Sequence, residues 1–143
     1  MALILSCPSC GVKDRLPRAR LVDRGRCGSC QAELPPIAAP LDVDATLLGE
    51  TVSSAAVPVR VDFWAEWCGP CKAAAPHVAR SAERMAGRAI VVKVDADRYP
   101  DLVERFQVPG FPTFLVLKGG REVRRHPGHA TAAQMTSWRE EVL

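Results

Sequence analysis

Val61-Asp62-Phe63-Trp64-Ala65-Glu66-Trp67-Cys68-Gly69-Pro70-Cys71-Lys72 carries a β-branched and aromatic run directly into a pair of cysteines. Read outward from Val57 to Ala65, the apolar run around Asp62 has the composition of a strand buried on both faces. Beyond it, Cys71 to Met85 reads as a helix with Pro76 inside it. A cysteine at such a strand-to-helix junction lies near unpaired helix amides and the positive end of the helix dipole, which favours the thiolate. The thiolate is the attacking species, so lowering its pKa toward ambient pH raises the reactive fraction, each unit corresponding to about 1.4 kcal/mol. Position therefore makes Cys68 the nucleophile. Cys71, one turn further into the helix, is placed to attack the mixed disulfide and release the reduced substrate.

The surrounding pattern predicts an α/β fold, a central mixed sheet flanked by helices. Ala89 to Val94 is a second buried-strand run, so Val57 to Asp95 reads strand, helix, strand; a crossover of that length implies parallel strands. Upstream, Asp42 or Asp44 caps a short helix from Ala45 to about Ser53, with Leu47 and Leu48 facing inward. Downstream, Pro100 precedes a short helix over Asp101 to Gln107. Thr113 to Lys118 and Glu122 to Arg125 flank Gly119-Gly120 as a hairpin. Thr131 caps a closing helix with Met135, Trp138 and Val142 roughly on one face. Pro35-Pro36-Ile37-Ala38-Ala39-Pro40 is uncharged and proline-rich, which predicts an extended, stiff linker between two modules, residues 1–34 and 41–143.

A chain of 143 residues accommodates one ordinary domain and a small appendage. Its 48% apolar and 24% charged residues exclude disordered and fibrous classes. The opening Met-Ala-Leu-Ile-Leu-Ser is too short for a signal peptide and lacks a basic start, and no stretch approaches the roughly 18 apolar residues of a membrane span. The expectation is a soluble cytoplasmic protein without a membrane partner. The whole +3 formal charge falls in residues 1–34, where Lys13, Arg15, Arg18, Arg20, Arg24 and Arg26 outnumber Asp14, Asp23 and Glu33.

The six cysteines form three Cys-x-x-Cys pairs, and in a reducing cytosol such pairs serve metal or redox chemistry more often than structural disulfides. Cys7-Pro8-Ser9-Cys10 and Cys27-Gly28-Ser29-Cys30 are sixteen residues apart, a spacing that reads as a four-cysteine zinc site. Two knuckles joined by a hairpin over Lys13 to Arg26 complete a zinc-ribbon-like module. A 34-residue segment has too small a core to fold alone, so Zn²⁺ supplies the missing stability. Four thiolates on Zn²⁺ carry −2, which the arginines offset. Two disulfides or a second redox centre are the alternative. Nucleic-acid binding is not expected, because residues 1–34 contain no Phe, Tyr or Trp to stack on bases.

The segment quoted first, together with Pro76, Lys93-Val94-Asp95, Phe111-Pro112-Thr113 and Gly128, closely resembles the thioredoxins over about residues 41 to 143. The added pairs of cysteines resemble the zinc-containing branch of that family called thioredoxin 2. The resemblance implies a thioredoxin fold and a protein-disulfide reductase. It makes Asp62 the acid beneath the cysteines that helps take the proton from the resolving thiol, in keeping with the raised pKa that burial in an apolar strand predicts. Lys93 matches the lysine near that acid; a buried ion pair without catalytic part is the alternative. Pro112 matches the proline whose preceding peptide bond is cis and which faces the nucleophile. In the family the backbone just before it pairs with an extended substrate segment, a role that falls here on Gly110 and Phe111. Trp67, Gly69, Pro70, Phe111, Pro112 and Gly128 would form the apolar docking face.

Phe111 departs from the β-branched residue more usual in the family, and Pro109 and Pro127 stiffen the loops beside it, so substrate preference is expected to shift. Pro76 is either a helix bend or an influence on the site, and Trp64 either packing or function. His77, His126 and His129 show no ligand spacing and read as surface residues. The resemblance further implies thioredoxin reductase as partner, with NADPH acting through that separate enzyme, disulfide-containing proteins as substrates, no bound organic cofactor, and a monomer. A redox-sensitive zinc switch and a non-catalytic holdase or adaptor are the competing functions.

Overall fold

The computed structural model describes residues 2–6, 9–17, 27–31, 39–55 and 57–141. A five-stranded sheet is ordered β3-β5-β4-β6-β7, built from β3 (Leu41–Asp42), β4 (Val59–Trp64), β5 (Ile90–Asp95), β6 (Thr113–Lys118) and β7 (Arg121–Pro127). As the crossover predicted, β4 and β5 are parallel. Strand β3 also runs parallel to β5, while β4–β6 and β6–β7 are antiparallel. Two residues are too few for a period-two pattern to register, so β3 carries no sequence signal of its own.

Alternation along the central strand divides the core. Val59, Val61 and Phe63 point to one face, with Ile90, Val92, Val94, Leu115 and Leu117, against Leu48 of α1 (Ala45–Ser54) and Leu102 of α3 (Pro100–Arg105). The other face packs Val91, Phe114 and Val116 against Ala74, Val78 and Ala82 of α2 (Gly69–Arg84) and Met135 and Trp138 of α4 (Ala132–Glu141). Arg60 and Asp62 lie on this second face, both buried. Arg60 is the position that the apolar pattern of the run passes over.

The helix ends follow local chemistry. Of the two aspartates, Asp44 caps α1, its Oδ1 accepting from the Leu47 amide at 2.8 Å. Thr131 and Gln134 cap α4 reciprocally, at 3.2 Å from the Gln134 amide to Thr131 Oγ1 and 2.8 Å from the Thr131 amide to Gln134 Oε1. Met135 and Trp138 are buried as expected, and Val142 lies outside the described residues. Gly119 and Gly120 turn the β6–β7 hairpin with φ of 60° and 78°, the pair of positive values that a tight hairpin turn needs. Pro76 sits inside α2, which runs unbroken from Gly69 to Arg84.

At the N-terminus, β1 (Ala2–Ser6) pairs antiparallel with β2 (Lys13–Pro17), in register from Ala2–Pro17 to Ser6–Lys13. Strand β2 returns along the opening apolar run, a pairing that the sequence reading did not include, while most of the expected hairpin over Lys13 to Arg26 lies outside the described residues. Cys7, residues 18–26 and residues 35–38 of the expected linker lie outside the described residues.

Candidate active site

Cys68 is the N-cap of α2, with extended backbone at φ −86° and ψ 108°, and its Sγ accepts from the Cys71 amide at 3.1 Å. The helix therefore begins at Gly69, not at Cys71, because Pro70 occupies the first turn, where the amide it lacks has no partner to lose. The amide that meets the Cys68 sulfur is one of the orphan donors of a helix start. Cys68 and Cys71 form a disulfide, with Cα atoms 5.2 Å apart. Both are buried, at 3% and 6% exposure.

The Phe111–Pro112 peptide bond is cis, as the resemblance implied. The Phe111 carbonyl stands 3.5 Å from Cys68 Sγ. Around it the loop is tied down: Thr113 Oγ1 donates to the Gly110 carbonyl at 2.7 Å, and the Gly128 amide donates to the Pro112 carbonyl at 2.8 Å. Trp67 is 68% exposed, yet its ring meets Phe111 edge-on at 5.9 Å and its indole N–H donates to Asp97 Oδ1 at 3.2 Å. Trp67, Phe111, Pro112 and Gly128 thus lie together beside the disulfide, with Gly69 and Pro70 opening the helix that carries it. Asp97 had no signal in the sequence, since its contact spans thirty residues.

Beneath the disulfide, Asp62 is 4% exposed and its Oδ1 has no hydrogen-bond partner among the described residues. Burial pushes its pKa up from 3.8 to about 6, with Arg60 and then Lys93 pulling it back. Asp62 and Lys93 are register partners on β4 and β5. The Lys93 ammonium sits 4.7 Å above the Trp64 ring, which makes Trp64 the support of that cation. A cavity of about 80 Å³ is lined by Asp62, Trp64, Cys71, Lys72, Ala75 and Lys93, so the acid and the inner cysteine line one common pocket.

The histidines, scattered in sequence, come together. His77 and His129 meet edge-on at 5.4 Å, His126 Nε2 lies 3.3 Å from the His129 carbonyl, and the Ala132 amide donates to His77 Nδ1 at 3.1 Å. The last contact fastens the first turn of α4 to α2.

In the N-terminal module, the sulfurs of Cys10, Cys27 and Cys30 lie within 4.8 Å of one another, with Cys10 and Cys27 at 3.6 Å. A tetrahedral zinc with bonds of about 2.3 Å places its sulfurs about 3.8 Å apart, so these three fit as corners of such a site. The Ser29 amide donates to Cys27 Sγ at 3.4 Å, a contact that supports a thiolate. Each knuckle turns on a left-handed residue just after its second cysteine, Gly11 at φ 77° and Gln31 at φ 64°.

Residues 39–141 match the family model described as thioredoxin, and residues 6–32 match that described as thioredoxin 2, N-terminal. Thioredoxin C-3 of Corynebacterium nephridii is 33% identical over 141 residues, covering 99% of this chain and 96% of that protein. The bifunctional thioredoxin reductase/thioredoxin of Mycobacterium leprae is 41% identical over 85 residues, 59% of this chain and 18% of its own. Among solved structures, chloroplastic thioredoxin z superposes with a TM-score of 0.67 at 32% identity, covering 73% of this chain and 94% of that one.

Proposed function

Since the chain belongs to the thioredoxin family of thiol-disulfide oxidoreductases, we propose that it reduces protein disulfides with Cys68 attacking and Cys71 resolving. The observation that carries this division is the sulfur of Cys68 capping α2 beside the Phe111 carbonyl. The Cys68 thiolate attacks one sulfur of the substrate disulfide; that bond breaks, and the departing sulfur leaves as a thiolate that takes a proton. Cys71 then gives its proton to the Asp62 carboxylate across their shared cavity, which is roomy enough for water to relay it. The Cys71 thiolate attacks Cys68 Sγ, expelling the second substrate thiolate and closing the Cys68–Cys71 disulfide. The substrate gains the two electrons that the Cys68 and Cys71 sulfurs lose; its first thiolate takes a proton from solvent, and its second takes the Cys71 proton, handed on by Asp62. Lys93 keeps a positive charge near the carboxylate while it waits ionised.

Extended substrate is held by the backbone of Gly110 and Phe111 before Pro112, with Trp67, Gly69, Pro70 and Gly128 framing the sulfur. Members of this family work with thioredoxin reductase and disulfide substrates, and the Mycobacterium leprae relative joins the two names in one chain. The same partner, drawing on NADPH, would recharge this protein as a cytoplasmic monomer. No helix among the described residues is long and apolar enough to cross a membrane.

We further assign residues 1–34 to a separate metal module, 35–40 to a linker and 41–143 to the redox domain. Cys7, Cys10, Cys27 and Cys30 would hold one Zn²⁺, which when bound fixes the two knuckles. Cys10 and Cys30 are exposed, which favours a secondary reading in which oxidant reaches the thiolates and releases the metal.

The catalytic assignment is tested by reduction of insulin disulfides with dithiothreitol as electron donor. Cys68→Ser should abolish turnover, and Cys71→Ser should accumulate a mixed disulfide with substrate. Turnover retained by Cys68→Ser would overturn the assignment.

A further inference from the structure

We propose that Arg60 is a positioning residue of the redox site: its buried guanidinium, on the same face of β4 as Asp62, holds that carboxyl ionised at neutral pH so that it can receive the Cys71 proton. This rests on the reading of Asp62 as proton acceptor.

Side chains two apart on a strand share a face, with Cα atoms about 6.6 Å apart. Arg60 is 1% exposed, its Nε and Nη2 have no hydrogen-bond partner among the described residues, and its Nη1 reaches Sδ of Met85 at 3.8 Å. An apolar side chain of similar volume would fill the same space without the cost of burying a charge, so packing alone does not account for an arginine here. Asp62 Oδ1 is equally without a partner. Opposite charges without hydrogen-bond partners, buried where solvent screens them little, act on one another across several ångströms.

The other groups facing the carboxyl are Lys93 from β5 and Cys71 and Lys72 from α2. Strand β6 sets Phe114 against it, and α4 contributes Met135 and Trp138 to the same layer. Arg124 and His126, also on this face, belong to β7, two strands away. Arg60 is thus the deepest cation near Asp62, and it outweighs Lys93 in pulling the carboxyl down against burial. Its own pKa, lowered by burial to about 10, leaves it charged at pH 7. With the carboxyl at about 6, most of it is ionised at pH 7; a rise of little more than one unit would leave it mostly protonated and unable to accept.

The experiment is a carboxyl-carbon NMR titration of Asp62 in the full-length oxidised protein, paired with the pH dependence of insulin reduction. Arg60→Met should raise the Asp62 midpoint by about one unit or more and move the acid limb of the rate profile with it. Arg60→Lys, which keeps the charge, should bring both back toward the native values, and Lys93→Met should move the midpoint less than Arg60→Met. A midpoint unchanged in Arg60→Met, or moved further by Lys93→Met, would overturn the role of Arg60. If Arg60→Met does not fold, Lys93→Met decides alone, since with Arg60 in place the midpoint must stay below about 7. A moved midpoint with an unmoved rate limb would instead remove Asp62 from the mechanism, and the proposal with it; Asp62→Asn, which should lack the limb altogether, separates the two failures.

Discussion

The Gly128 amide donates to the Pro112 carbonyl at 2.8 Å, which makes the glycine after β7 and the proline beside Cys68 one hydrogen-bonded unit. Gly128 has φ +84°, and a Cβ built on it would meet nothing within 4 Å. The need for glycine is therefore conformational, not steric. Gly128→Ala should destabilise the domain by about 1–2 kcal/mol, as expected for an L-residue held in the left-handed region. Because the strain falls on the loop that carries Pro112, KM for insulin should rise while reaction of Cys68 with a small disulfide changes little. Urea unfolding and the two rate measurements read these separately.

Asp62 ties function to stability. Its pKa is raised from 3.8 to about 6, chiefly by burial, so the native state holds this proton more tightly than the unfolded chain does. Stability should then fall as pH rises from about 4 through about 6, and stay lowered above. Asp62→Asn removes the charge and should stabilise the oxidised protein by about 3 kcal/mol at pH 8, an advantage that shrinks toward zero near pH 4. Activity should move the other way. Denaturant midpoints across that range check the stability, and equal gains at both ends of the range would mean that ionisation is not the cause.

The docking face depends on an exposed residue that is nevertheless fixed. Trp67 is held by Asp97 on one side and Phe111 on the other, so its ring is oriented before substrate arrives. Trp67→Ala should lower kcat/KM for insulin about tenfold, the loss of one aromatic anchor. Stability should change by less than about 1 kcal/mol, since little of the ring is buried. Asp97→Ala should show a smaller loss of the same kind.

Much of this was legible in the sequence because it is locally encoded. Strands β4 and β5 stand out as β-branched, mostly apolar runs, the caps at Asp44 and Thr131 sit at the starts of helical patterns, and Asp62 is conspicuous as an acid in such a run. The misses have physical causes too. Arg60 hides in the same run because its long stem packs like an apolar side chain, and only its depth in the sheet reveals the charge as buried. Strand β1 resembled a bare hydrophobic opening because its partner, β2, is polar and lies across the knuckle. Gln31 occupies a left-handed position where Gly11 serves in the matching knuckle, so composition gave no cue to the turn. The meeting of His77 with Ala132 depends on how α2 and α4 pack, which no local pattern records.

The metal module yields the last prediction. Cys10, Cys27 and Cys30 already approximate three corners of a tetrahedron, so freshly reduced protein should carry about one zinc per chain by elemental analysis. Cys27 is the buried member, and it receives the Ser29 amide; Cys27→Ser should therefore abolish zinc retention. Metal should also be lost as pH falls, because protons compete for the thiolates. The β1–β2 hairpin is too small to hold itself without the metal, so amide protons of residues 2–6 and 13–17 should lose protection when zinc is removed. Insulin reduction by Cys68 and Cys71 should survive the same treatment. If it fell in step with zinc loss, the module would be part of the redox site and the division at residues 35–40 would have to be abandoned.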